Sequence, residues 1–178
     1  SMVNSSYISQ GGLGLQDSDY YLKTDEKSVE VQNKYKAHVA KMLGLLGIEA
    51  STLSEKAEAI YNLELSLAKV SMNSTELRDI EAQNNPMTIA ELKELSPKVD
   101  WDKYRADMGV NDIDTIMIDQ PLFVAEMSAI FDMNQLQTWK DYLTWNIINN
   151  YSPVLHNEVV ATDFDFYGKV LQGTDENK

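Results

Sequence analysis

The fold class is decided by the stretch Val31-Gln32-Asn33-Lys34-Tyr35-Lys36-Ala37-His38-Val39-Ala40-Lys41-Met42-Leu43-Gly44-Leu45-Leu46. Its apolar side chains recur at spacings of three and four residues, the pattern of one face of an amphipathic α-helix. They are Val31, Tyr35, His38/Val39, Met42 and Leu46. The spacing predicts a helix from about Asp25 to Gly47, because glycine readily adopts the left-handed conformation that ends a helix.

The same periodicity predicts a second helix from Ser54 to Met72, with Thr52 or Ser54 as its N-cap. Its apolar stripe consists of Ala57, Ile60, Tyr61, Leu67 and Ala68. Glu64 falls on this stripe. A carboxylate on an apolar face is either satisfied by a partner in the core or functional, and we expect the structural role.

In the middle of the chain, Asn84-Asn85-Pro86-Met87-Thr88 is expected to break regular structure. Thr88 and Glu91 stand in capping-box register for a short helix that ends at Ser96-Pro97. The run Thr115-Ile116-Met117-Ile118 is rich in apolar and β-branched residues, which predicts one short strand closed by Pro121.

Further apolar stripes predict four more helices. Their members are Trp101, Tyr104 and Met108 before Gly109; Phe123, Met127, Ile130 and Phe131; Leu136, Trp139, Tyr142/Leu143 and Ile147; and Phe164, Tyr167 and Leu171. Asn134 is the expected N-cap of the third of these helices, and Ser152-Pro153 should end it.

The fold class predicted is therefore all-α, with five to seven helices and at most one short strand. We expect an extended, Gly-rich N-terminal segment over residues 1–22 and a helical domain over 23–178. Gly11, Gly12 and Gly14 are interpreted as a poorly restrained turn. They do not form a dinucleotide-binding fingerprint, since that motif needs a helix directly after the glycines.

Charge and composition exclude several function classes. Among the 178 residues, 15 Lys+Arg stand against 28 Asp+Glu, a formal net charge of −13, so nucleic acid and anionic membrane surfaces are unfavourable ligands. No apolar run approaches the roughly 20 residues that span a bilayer. The absence of cysteine excludes disulfides, thiol catalysis and thiolate zinc sites, while the compartment stays open.

No catalytic, cofactor-binding or metal-binding residues are predicted from the residues alone. The two histidines, His38 and His156, lack the H-E-x-x-H spacing of zinc peptidases, and we expect His38 to be a core or boundary residue. The acidic pairs Asp17/Asp19 and Asp163/Asp165 favour a solvated acidic face, although calcium binding is an alternative. Asp112-x-Asp114 lacks the glycine and the terminal glutamate of a calcium loop.

Several unusual strings follow one another along the chain. They are Gln10-Gly11-Gly12-Leu13-Gly14-Leu15-x-Asp17-x-Asp19-Tyr20-Tyr21, Tyr35-x-x-His38-Val39-x-Lys41-Met42-Leu43, Glu64-x-x-Leu67-Ala68, Arg78-Asp79, Pro86-Met87-Thr88, Trp101, Gln120-Pro121, Trp139-Lys140-x-Tyr142-Leu143-x-Trp145, Phe164-x-Phe166-Tyr167 and Gly173-Thr174. In this order they resemble the N-terminal, non-catalytic region of the neprilysin family of zinc metallopeptidases, in its bacterial endopeptidase-O-like branch.

The resemblance implies that the chain is a part of the helical second domain of a longer enzyme. In the family, that domain caps the catalytic domain across a central cavity and limits access to small peptides. Zinc and the glutamate that acts as general base belong to a C-terminal domain, where zinc-activated water attacks the peptide bond. The resemblance therefore implies that this chain alone is inactive and that its partner is the catalytic domain of the same polypeptide.

Departures from the family pattern bear on these expectations. Gln16 and Ser18 replace the family's usual proline and arginine, which puts an inter-domain salt bridge of that arginine in doubt. Asn84-Asn85-Pro86 replaces the usual Tyr-Asn. Because animal members are cysteine-rich, the cysteine-free sequence favours a bacterial member exported to the cell envelope or periplasm.

Two function hypotheses follow. The first is a substrate-access-limiting helical module of a zinc metalloendopeptidase that acts on small peptides. The second is a free-standing acidic helical domain whose surface recruits a basic partner. If the first is right, the isolated chain should expose an apolar strip and self-associate at high concentration.

Overall fold

A computed structural model of the chain describes residues 6–131 and 136–174. Within these residues the α-helices are α1 Asp19–Leu22, α2 Glu26–Leu45, α3 Leu53–Ala68, α4 Ile89–Leu95, α5 Trp101–Met108, α6 Pro121–Ile130, α7 Leu136–Tyr151 and α8 Asn157–Phe164. The strands are β1 Tyr7–Ile8, β2 Asn85–Thr88 and β3 Thr115–Ile118. Short 3-10 turns span Ala50–Thr52, Glu76–Arg78 and Ser152–Val154, and a π-helix, Asp165–Leu171, follows α8. The prediction of a mostly helical fold is confirmed.

Two details of that prediction need correction. The described residues form eight α-helices instead of five to seven, because a single helical turn, α1, lies in the N-terminal segment. They form three strands instead of at most one. The predicted break at Asn84–Thr88 is β2, which tolerates Pro86 because it is an edge strand and pairs on one side only.

The described residues group into two compact units, each built from two stretches of the chain. Of the described residues, 6–11 and 67–131 belong to the first, the sheet unit, and 12–66 and 136–174 belong to the second, the helical unit. The expected division into residues 1–22 and 23–178 stays a prediction about the family's domain organisation.

The sheet unit is built on a three-stranded sheet in the order β1-β3-β2. β1 runs parallel to β3, with Tyr7 opposite Met117, and β2 runs antiparallel to β3. The core contains Ile116 and Ile118 of β3 with Ile89, Leu92, Trp101 and Val124 of the helices. Because alternate residues of a strand face opposite sides, Tyr7 and Met117 lie on the other face of the sheet.

Local signals set the helix ends in this unit as the sequence predicts. The Thr88 hydroxyl accepts a hydrogen bond from the Glu91 backbone N–H, and the Glu91 carboxylate accepts one from the Thr88 backbone N–H at 2.7 Å. This capping box starts α4. Gly109, at φ 69°, ends α5 in the left-handed conformation.

In the helical unit, α2 follows the prediction closely and α3 only in part. The Asp25 side chain caps α2 by accepting a hydrogen bond from the Ser28 backbone N–H. α3 ends at Ala68 instead of Met72. Neither predicted N-cap starts it, because Thr52 lies in a 3-10 turn, where its hydroxyl donates to the Glu49 carbonyl, and Ser54 lies inside the helix.

The predicted inward face of α7 is correct at Tyr142 and wrong at Leu136, Leu143 and Ile147. The buried side chains are Tyr142, Trp145 and Ile148, whereas Leu143 and Ile147 are 57% and 63% exposed. α7 carries apolar residues on opposite faces, so the helical period alone fits two stripes. Its expected N-cap, Asn134, lies outside the described residues.

Candidate functional site

The most chemically distinctive group of the described residues surrounds Glu64 in the helical unit. This carboxylate is 0% exposed. Its Oε2 accepts hydrogen bonds from the hydroxyls of Tyr35 at 2.7 Å and Tyr21 at 2.8 Å. Its Oε1 accepts from the Trp145 indole Nε1 at 3.2 Å. The prediction that Glu64 is satisfied by partners in the core is confirmed.

Each member of this group comes from a different helix. Tyr21 lies on α1, Tyr35 on α2, Glu64 on α3 and Trp145 on α7. The helical period turns Tyr35, Glu64 and Trp145 towards the same interior. The Glu64 carboxylate therefore connects four helices through hydrogen bonds. Two members of this group, Glu64 and Trp145, are 81 residues apart in sequence.

Burial and hydrogen bonding act in opposite directions on the Glu64 pKa. Burial raises the pKa, and the hydrogen bonds from Tyr35, Tyr21 and Trp145 and from the Gly14 backbone lower it. Burial is the larger effect, so the net pKa is raised from 4.5 to about 7. Burial, with the nearby carboxylate as second cause, also raises the pKa values of Tyr21 and Tyr35 well above their usual range. The tyrosines therefore stay protonated and act as hydrogen-bond donors, not as bases.

The glycine-rich segment is held against this group, so the prediction of a poorly restrained turn is wrong. The Tyr142 hydroxyl donates to the Gly12 carbonyl at 2.7 Å, and the Tyr167 hydroxyl donates to the Gly14 carbonyl at 2.8 Å. A Cβ on Gly14 would overlap the hydroxyl of Tyr35. Glycine is therefore needed here for close approach of the backbone.

His38 lies beside the group as a neutral core residue, as predicted. Its ring stacks on Phe166 at a centroid distance of 4.9 Å and meets Trp145 edge-on at 5.5 Å. Burial, assisted by Lys41, lowers its pKa from 6.5 to about 4. Among the described residues its Nε2 has no hydrogen-bond partner, although it is buried.

The other sequence candidates are not brought together. The exposed His156 precedes α8 without a side-chain capping bond. Asp17 accepts a bond from the Asp19 backbone, and Asp165 pairs with Lys169 at 2.7 Å. In residues 6–131 and 136–174, no group of three or more His, Asp or Glu side chains is arranged to hold a metal ion.

Each unit has a surface depression among its described residues. The one in the sheet unit has a volume of about 510 Å³ and is lined by Tyr7, Leu77, Ile80 and Glu81 among others. The one in the helical unit measures about 310 Å³ and is lined by Lys34, His38, Lys41 and Phe166 among others. Asp165 also lines the second depression, where its carboxylate lies 3.8 Å from the Lys41 ammonium group and forms an ion pair with it.

Sequence reasoning missed the roles of Tyr21, Gly14 and Trp145. The burial of Trp145 was not predicted because the exposed stripe of α7 is also apolar and was taken as the inward face. The spacing of Tyr142, Trp145 and Ile148 was the signal that could have revealed it. Tyr21 and Gly14 stand in the glycine-rich string quoted above, but spacing along the chain does not predict that a backbone segment lies against α2.

No helix among the described residues is both long enough and apolar enough to cross a membrane.

Comparison with known proteins gives consistent results. The chain matches the N-terminal model of the family described as Peptidase family M13 over residues 1–178. Endothelin-converting enzyme 1 of Cavia porcellus is 26% identical over 177 residues, which are 96% of this chain and 23% of the relative. Neprilysin-3 of Drosophila melanogaster is 27% identical, over 94% of this chain and 23% of the relative.

Among solved structures, the zinc metalloprotease Zmp1 of Mycobacterium tuberculosis in an open state matches with a TM-score of 0.88 and 28% identity. The match covers 97% of this chain and 27% of Zmp1. The chain therefore spans about a quarter of the length of the relatives that it matches.

Proposed function

Because the chain belongs to peptidase family M13, we propose that it forms the non-catalytic helical module of a zinc metalloendopeptidase and limits access to that enzyme's active site. The substrates are small peptides, and folded proteins are excluded by size. The observation that carries this proposal is the family match over the whole chain, combined with a span of about a quarter of the relatives' length.

The buried hydrogen bonds of the helical unit support a steric role. A wall that excludes large substrates must hold its shape, and the Glu64 carboxylate fixes α1, α2, α3 and α7 through three side-chain hydrogen bonds.

Zinc does not fit the side chains of residues 6–131 and 136–174. Among these residues, the His, Asp and Glu side chains form no metal-binding group, and the one buried histidine, His38, is stacked on Phe166 and meets Tyr167 edge-on. We therefore assign zinc and the catalytic residues to the remaining part of the polypeptide, and the catalytic domain is the partner of this module. The isolated chain is then inactive.

We also propose a bacterial parent whose peptidase acts outside the cytoplasm, in the cell envelope or periplasm. Two observations support this. The chain contains no cysteine, and Zmp1, one of the solved structures that it matches, comes from a bacterium. Fractionation of the source cells, with the protein detected by antibody, tests the location; recovery only with cytoplasmic markers would exclude it.

The test of the function compares the 178-residue chain with the longer polypeptide. We expect the longer protein to hydrolyse short peptides, to lose this activity with a zinc chelator and to leave folded proteins uncut. The chain alone should hydrolyse neither. Zinc-dependent hydrolysis by the chain alone, or equal kcat/KM for a peptide and a folded protein, would contradict the proposal.

A further inference from the structure

The helix α7 is apolar on two opposite faces. Tyr142, Trp145 and Ile148 are buried in the helical unit. The opposite face carries four apolar side chains that are 47 to 63% exposed, and we call it the outer face of α7: Leu136, Leu143, Ile147 and Tyr151. At about 100° per residue these four lie within roughly 80° of one another around the helix axis.

Two opposite apolar faces on one helix are typical of a helix that packs against protein on both sides. A helix at the surface of a complete globular protein presents a polar face to water, whereas a helix that is apolar all round is buried. The exposed apolar surface continues beyond α7, since Val154 is 77% exposed. The outer face is therefore suited to contact with more protein.

The outer face is a narrow strip along α7. Polar residues border it, with Gln137 and Thr144 on one side and Asn150 on the other. α7 has 16 residues, so the face extends for about 24 Å. One helix packed along α7 would cover a seam of this width and length, because side-chain ridges of one helix fit the grooves of another.

We propose that the outer face of α7 is covered by one amphipathic helix that the same polypeptide supplies outside residues 1–178. This inference rests on the proposed function, since the matched relatives have about three-quarters of their length beyond the region that this chain spans. It goes further in naming the contact surface and the kind of segment that occupies it.

Lys140 gives the covering helix a chemical signature. It lies within the outer face, between Leu136 and Leu143, and its side chain is exposed. A lysine at a helix contact can lay its methylenes on the apolar surface while its ammonium group reaches the edge. At that edge the ammonium group is partly covered by the second helix, and a carboxylate satisfies such a group best, so the covering helix carries an aspartate or glutamate there.

Thiol labelling tests the proposal, since the chain contains no cysteine. Ile147→Cys is placed in the 178-residue chain and in the longer polypeptide, and the rate of modification by a water-soluble maleimide is followed by mass spectrometry of the peptide that contains the site. Asn33→Cys, at an exposed polar position of α2, gives the rate of an open site in the chain. We expect Ile147→Cys to react at that rate in the chain and at least about tenfold more slowly in the longer polypeptide.

A second variant guards against a folding defect of the first. Lys140→Glu should leave the melting temperature of the chain unchanged and lower that of the longer polypeptide by several degrees, because it places like charges together. Equal labelling rates in the two proteins would overturn the proposal. So would protection that disappears when an oligomer dissociates on dilution, which indicates a second copy, or protection that requires added peptide, which indicates a substrate groove.

The labelling rates and melting temperatures do not depend on enzymatic activity. Failure of the proposed function appears as absent chelator-sensitive hydrolysis by the longer polypeptide, whereas the labelling rates of the two proteins are compared without peptide, and peptide is added only in the separate test for a substrate groove.

Discussion

The hydroxyl of Tyr35 donates a hydrogen bond of 2.7 Å to Oε2 of Glu64, and neither side chain is exposed to solvent. This bond joins α2 to α3 through a group whose charge is costly to bury. The same oxygen also accepts a hydrogen bond from Tyr21, so the N-terminal segment and two helices meet at one atom. The stability of the helical unit therefore depends on the protonation state of one carboxyl group.

The first prediction concerns Glu64→Gln and its pH dependence. Between pH 4.5 and 7 the unfolded carboxyl group is ionised while the folded one retains its proton, because burial raises the folded pKa to about 7. Unfolding then releases a proton, so this group's contribution to stability falls as pH rises. The free energy of unfolding of the parent chain, relative to the variant, should fall by ~3 kcal/mol across this window. Urea denaturation at several pH values measures the difference, and parallel curves would contradict it.

His38→Phe should reveal the opposite dependence. The folded pKa of His38 is about 4, so between pH 4 and 6.5 the unfolded imidazole holds a proton that the folded one does not. Stability from this residue is present above pH 6.5 and is lost as pH falls to 4. Relative to His38→Phe, the parent chain should lose ~3 kcal/mol over that fall.

Between pH 4.5 and 6.5, the contribution of Glu64 to the free energy of unfolding falls with pH while that of His38 rises, so the two offset each other. This opposition allows a control with both residues replaced. The free energy of unfolding of the unsubstituted chain should vary less with pH over this range than that of either single variant. The double variant Glu64→Gln/His38→Phe lacks both groups, and its profile should lack both opposing slopes. A double variant that retains either slope would assign the effect to other residues.

Gly14→Ala should destabilise the helical unit by about 1–3 kcal/mol. The added methyl group would overlap the Tyr35 hydroxyl and lie 2.8 Å from its Cζ, so Tyr35 must move away from Glu64. Gly11→Ala is the matched control, because a Cβ there meets no atom within 4 Å. Equal urea midpoints for the two variants would show that the close approach at Gly14 is unimportant.

The ion pair between Lys56 of α3 and Asp141 of α7 should contribute measurably. Its atoms are 2.6 Å apart, and the side chains are 22% and 13% exposed. A double-mutant cycle with Lys56→Met and Asp141→Asn should give a coupling free energy of about 1–2 kcal/mol. The exposed pair Lys103–Asp107 is the control and should give about 0.5 kcal/mol or less. A larger coupling at the control pair would refute the argument from burial.

The isolated chain should self-associate at high concentration through its exposed apolar side chains. Ile147→Lys should weaken this association by placing a charge in the outer face of α7. Light scattering against concentration measures the effect, with Asn33→Lys as a control of equal charge change. A parent chain that stays monomeric at all concentrations would contradict the prediction.

The sequence predicted most helices because their signals are local. Asp25, the Thr88–Glu91 box and Gly109 act within one turn of the helix ends that they define. β3 was found from its composition. β2 was missed because Pro86 marks a break in sequence but is compatible with an edge strand, which becomes an edge only once β3 is in place.

The candidate site was predicted less completely. Glu64 stood out as a charge on an apolar stripe, which is a local anomaly. Its partners Tyr21 and Trp145 come from 43 and 81 residues away, and nothing in their own neighbourhoods specifies a contact with a carboxylate. Gly14 was interpreted as a source of freedom, whereas its missing side chain makes room for Tyr35.

The alternation of the two units along the chain has a consequence for folding order. Ser6 accepts a hydrogen bond from the Met117 backbone, and Gly14 accepts one from Tyr167, 153 residues later. During synthesis, residues 6–14 are therefore made long before the residues to which they hydrogen-bond. Neither unit can complete its fold when only the first half of the chain has been made. For a mostly helical protein, contacts so distant in sequence imply slow, late folding.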